Sequence, residues 1–152
     1  MLKKTIIKNV LSILLISLFF IAGVSVIMGI ISIPYELFEE TDKNAVASLI
    51  GMLAVGISYL MIIVSLIDIV NSSKVNIFIS ENVKKFKRIG YLLFVSLILK
   101  YILVICNLLE GMTIWDEVQN TEIYIIAGLL CFVIADAFEK AIKIKEENEF
   151  TV

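Results

Sequence analysis

Four long apolar runs, separated by connections too short to hold any folded domain, dominate this chain. They extend from about Val10 to Ile33, Ala45 to Val70, Ile89 to Leu109, and Ile123 to Phe138 or a turn or two beyond. A helix of about 20 residues is roughly 30 Å long, the thickness of a bilayer's hydrocarbon core. Each run is far longer than a barrel strand and lacks strict alternation, so helices are expected. Composition agrees: with 60% hydrophobic residues and only 18% charged, the 152-residue chain is too apolar for a water-facing globule. The expectation is an all-α integral membrane four-helix bundle formed by a single domain, residues 1–152.

The first run follows Lys3, Lys4 and Lys8 and is expected to stop at Pro34. Its apolar region is too long for a signal peptide, and no small-residue cleavage signature comes after it, so a retained helix is expected. Orientation comes from the cations. Besides those three lysines, the middle connection carries Lys74, Lys84, Lys85, Lys87 and Arg88, and the tail Lys140, Lys143 and Lys145. The other two connections hold Lys43 alone and are otherwise acidic, with Glu36, Glu39, Glu40 and Asp42, then Glu110, Asp116, Glu117 and Glu122. The positive-inside rule therefore predicts both termini in the cytoplasm. Tyr35, Trp115 and Tyr124 fall near the outer boundary and Tyr91 near the inner one, where amphipathic rings settle.

The chain has no histidine, which removes the commonest general base and metal ligand. Cys106 and Cys131 lie inside apolar stretches and read as small packing residues, with no disulfide and no metal site expected. No nucleophile-and-base spacing or phosphate-binding glycine loop occurs, so neither an enzyme nor a cofactor is expected.

Lys100 is the sharpest intramembrane feature, because an ionised side chain at mid-span costs several kcal/mol unless paired or hydrated. Ser96, Lys100 and Asn107 share one helical face; Ser58, Ser65, Asp68 and Ser72 form a similar line in the second run. Aligning the outer ends of spans three and four puts Lys100 and Asp136 about 6 Å apart in depth, which makes Asp136 the best candidate counter-ion. These groups either line a ligand, ion or proton path, or fix how the helices pack; we favour packing. Small residues at four-residue spacing (Ala127, Cys131, Ala135; Ala47, Gly51; Ser25, Gly29) suit close helix contacts, inside the bundle or in a homo-oligomer.

The stretch from Ser80 to Gly90 reads as a helix start, with Ser80 as N-cap and Glu81 in the first turn. Its Lys84, Lys85, Lys87 and Arg88 serve as a topology anchor touching anionic lipid headgroups, or as a dock for a cytoplasmic partner. Lipid phosphates account for such a cluster, so direct nucleic-acid binding is not expected.

The run Glu81-Asn82-Val83-Lys84-Lys85-Phe86-Lys87-Arg88-Ile89-Gly90 and the end Glu147-Asn148-Glu149-Phe150-Thr151-Val152 resemble the YoaS-like family, small four-span bacterial membrane proteins of unknown function. Phe86 and Phe150 stand where that family usually has Leu. The resemblance implies the bacterial cell membrane as location. It also implies a neighbouring Cro/CI-type helix-turn-helix regulator as cytoplasmic partner. The leading expectation is thus a non-enzymatic membrane regulator or sensor. The alternative is immunity-type protection against a membrane-active peptide, or small-solute or ion transport through the bundle.

Overall fold

The computed structural model describes residues 2–38, 43–72, 78–105 and 114–149, with side chains for 6–34, 46–72, 78–105 and 121–148. Four helices succeed one another: α1 (Leu2–Phe38), α2 (Lys43–Ser72), α3 (Ser80–Ile105) and α4 (Ile114–Glu149). Each contains a segment long and apolar enough to cross a membrane.

Several helix ends differ from the sequence expectation. The first helix does not stop at Pro34 but continues to Phe38. Proline lacks the N–H that would bond the Ile30 carbonyl, yet near the end of a span that carbonyl can be satisfied by water or headgroups. The fourth helix, at 36 residues, runs well past both ends of its apolar stretch. The added C-terminal turns consist mostly of good helix formers, Ala, Glu and Lys among them, and the i,i+4 pair Asp136–Lys140 leads into them. Ser80 is also not the N-cap of α3: the Ile79 carbonyl accepts from the Asn82 and Val83 N–H groups at 3.0 and 3.4 Å, which places Ile79 at the cap and Ser80 in the first turn.

Consecutive helices are antiparallel. Gly29 of α1 meets Leu53 of α2, and Gly56 of α2 meets Val26 of α1. Gly51 of α2 meets Leu103 of α3, and at the opposite end Ser72 bonds Asn82. Tyr101 pairs with Thr121 near one end of the α3–α4 interface, and Lys87 with Glu139 near the other. The bundle is open. Among the described residues, backbones come close only between chain neighbours, so α1 packs on α2 alone. Among the described side chains of α1, Leu15 is the one buried hydrophobic residue, and the other large apolar side chains are mostly exposed. A bilayer would solvate that surface.

The third helix is the spine. Its buried residues fall in two stripes of seven-residue period: Asn82, Ile89, Ser96 and Leu103, and beside them Val83, Gly90, Leu97 and Val104. That period is the signature of helices wound together in a left-handed sense. The first stripe faces α2, where Gly51, Ser58, Ser65 and Ser72 recur every seventh residue. The register therefore sets Ser58 level with Ser96 and Ser65 level with Ile89. Small residues on one side let the two backbones approach closely. The second stripe faces α4: Gly90 sits against Phe132 and the Gly128 backbone. Where the three helices meet, Ile62, Ile69 and Ile89 form a core on which Phe86, Leu93 and Cys131 pack.

Candidate functional site

Polar groups collect in two places, an interior seam and one end of the array. In the seam, the Lys100 ammonium lies 5.0 Å from the centre of the Tyr124 ring. The Tyr124 hydroxyl is hydrogen-bonded to that of Tyr59 on α2, which ties α4 to α2. One turn nearer the chain's acidic end, the Tyr101 hydroxyl and the Thr121 hydroxyl are 2.8 Å apart. A desolvated cation over an aromatic face gains about 2 kcal/mol, less where exposed.

The expected Lys100–Asp136 pair does not form. Asp136 lies 2.7 Å from Lys140 on its own helix. Lys100 is level with Tyr124, and Tyr124 lies about 18 Å from Asp136 along the axis of α4. The sequence estimate failed because the polar stretch from Ile114 to Glu122 is itself helical. It takes up the outer end of the interface and shifts α4 by about two turns relative to α3. Lys100 consequently sits beside the polar start of α4, close to Thr121 and Glu122 in height, although it is mid-span on its own helix.

The serine lines behave as packing devices. Ser58 and Ser65 are buried and donate to the Ala54 and Met61 carbonyls one turn back, at 3.0 and 2.8 Å. Such bonds satisfy the hydroxyl without a partner helix. Ser96 is fully buried, and its Oγ has no hydrogen-bond partner among the described residues. Asp68 is not interior: it is half exposed and lies 3.5 Å from Lys85. Asn107, Cys106, Lys74, the side chains of Tyr35 and Trp115, and the acidic residues Glu39, Glu40, Asp42 and Glu110 lie outside the described residues. Cys131 is a free thiol.

The second place is the basic end. The antiparallel order brings the start of α1, the end of α2, the start of α3 and the end of α4 together, so all three cationic segments share one side of the array. There α3 is clasped from both flanks. Toward α2, Ser72 donates to the buried Asn82 Oδ1 at 2.8 Å and Asp68 meets Lys85. Toward α4, Lys87 donates to Glu139 at 2.9 Å, and Phe78 and Phe86 both stand edge-on to Phe138 at 5.1 and 5.4 Å. Of the four cations singled out in the sequence, two are thus engaged, while Lys84 and Arg88 are exposed and make no ion pair among the described residues. Sequence reasoning missed Asn82, Phe138 and Glu139. The period of seven linking Asn82 to Ile89 and Ser96 was the available signal for the first; the partners on α4 carried none.

Four membrane-capable helices, a lipid-suited α1 and a cationic end define a multi-pass helical membrane protein. Within that class the chain belongs to the family described as Protein of unknown function (DUF2975), which matches residues 8–152. No curated protein and no solved structure matches it.

Proposed function

We propose that this protein is a non-enzymatic bacterial membrane regulator or sensor whose basic end faces the cytoplasm and docks a soluble partner. The observation that carries the reading is the construction of that end. From Phe138 to Glu149, α4 continues about 17 Å past its apolar stretch as helix. It is held against α3 by Lys87–Glu139 and by the Phe78, Phe86 and Phe138 rings. A helix needed only to cross a bilayer has no use for that length, and a tail needed only as an anchor has no use for a specific clasp. A two-helix ledge with exposed charges is a surface that another protein can read. The cationic excess at this end supports the cytoplasmic orientation. The resemblance to YoaS-like proteins supports a helix-turn-helix regulator as the partner. Transport is the weaker reading, since Lys100 and Asp136 lie far apart and Ser58 and Ser65 bond their own helix.

The test is affinity purification of the tagged chain from native membranes in mild detergent, with mass spectrometry of the co-purifying proteins. A soluble protein retained by the wild type, and lost when Lys84, Lys85, Lys87 and Arg88 become Ala, supports the proposal. Recovery of no soluble partner, even after crosslinking, contradicts it.

A further inference from the structure

Between the first turns of α3 and the extension of α4 lies a groove of about 270 Å3. Val83 and Ile142 form its apolar floor, while Lys84, Lys87 and Lys143 stand along it. The lysines are not equivalent. Lys87 is committed to Glu139 at 2.9 Å, whereas Lys84 and Lys143 are exposed and make no ion pair among the described residues. Glu139 is thereby neutralised, and Glu146 falls near the level of Ser80, at the groove's end away from the spans. The inner part of the groove therefore keeps two cations over an apolar floor.

Its height matters as much as its charge. Ile142 lies about 6 Å beyond Phe138, where the apolar stretch of α4 ends. The headgroup layer of a bilayer occupies roughly the 5–7 Å outside the hydrocarbon core. The commonest anion at that height is a phospholipid phosphate, and the apolar floor runs on from the spans as an acyl chain does.

We infer that this groove is a binding site for one anionic phospholipid, with Lys84 and Lys143 gripping the phosphate and Val83 and Ile142 seating the glycerol end of its chains. The site assigns Lys143, from the tail, a role alongside Lys84 and separates both from Lys85 and Lys87, which hold helices together. It does not depend on a soluble partner.

The test uses the full chain purified in detergent, with phosphatidylglycerol and phosphatidylcholine as probes and native mass spectrometry as readout. Phosphatidylglycerol is expected to be retained by the wild type in preference to phosphatidylcholine. Lys84→Gln and Lys143→Gln should each weaken that retention about 5-fold, and about 25-fold together, the effect of losing one or two juxtamembrane cations. Lys85→Gln, remote from the groove, should change it by less than about 2-fold. Both target side chains are exposed, so folding should be unaffected; Lys84→Arg with Lys143→Arg, retaining the lipid, confirms that charge is what matters. Equal retention of the two lipids, or a double Gln variant that is helical and binds like wild type, overturns the inference. Displacement by millimolar inorganic phosphate, or by a soluble phosphopeptide at lower concentration than the lipid, also overturns it by reassigning the site to another phosphate source.

Discussion

Ser72 at the end of α2 is bonded to Asn82 at the start of α3: the serine hydroxyl donates to Asn82 Oδ1 at 2.8 Å, and Asn82 is completely buried. A buried carboxamide left unpaired costs about 1–3 kcal/mol, whereas one neutral hydrogen bond contributes about 1 kcal/mol net. Ser72→Ala, which takes a donor from the buried carboxamide, should therefore destabilise the protein at least as much as Asn82→Ala, which removes the carboxamide itself. A double-mutant cycle of unfolding in mixed micelles should return a coupling of about 0.6 kcal/mol, the usual size for hydrogen bonds between membrane helices. Additive effects would show that the two residues act separately.

Close approach of α3 and α4 depends on Gly90. A Cβ there would lie 2.9 Å from Phe132 Cζ and 3.2 Å from the Gly128 carbonyl oxygen, and the latter is backbone that cannot turn aside. Gly90→Val should cost about 1–3 kcal/mol, the range for overpacking. Gly23 in α1 has open space around it, so Gly23→Ala should be neutral or slightly stabilising. Unfolding of the two variants side by side checks the contrast.

Lys100 should couple to Tyr124 and not to Asp136. Lys100→Leu combined with Tyr124→Leu is expected to show a coupling of about 0.5–2 kcal/mol, the range of a cation over a ring. Lys100→Leu combined with Asp136→Asn should be additive, as for sites far apart. A cycle that reversed this order would put the register of α3 against α4 in error.

The existence of four helices was legible because length and apolarity alone decide it: nothing but a helix hides the backbone of Val10 to Ile33 or Ala45 to Val70 from lipid. The line of Ser58, Ser65, Asp68 and Ser72 was also visible: Ser58 and Ser65 are buried and Ser72 reaches Asn82, whereas Asp68 is half exposed. What could not be read was registry between helices. The partner of Lys100 depended on how far α4 extends past its apolar residues, and polar helix between Ile114 and Glu122 carries no hydropathy signal. For the same reason the Glu139–Lys87 bond and the Phe138 contacts went unseen. The openness of the array was hidden too, since a lipid-facing helix and a core helix are equally apolar in sequence.

Orientation gives a fourth prediction. In a chain with Cys106 and Cys131 replaced by Ala, single cysteines at Ser80 and Lys145 should react with a membrane-impermeant maleimide only after the cells are broken. A cysteine at Glu40, in the acidic connection after the first span, should react in intact cells. The opposite pattern would invert the topology and move the basic end outside.

Crosslinking in living cells tests the central proposal most directly. A photoreactive amino acid placed at Glu81 or at Ile144, both exposed at the basic end and outside the lipid groove, should form an adduct with one soluble protein; the same group at Ile126, exposed on the span near the acidic end, should not. Adducts with lipid alone at every position, or with the same proteins at both ends, would contradict a partner-docking ledge.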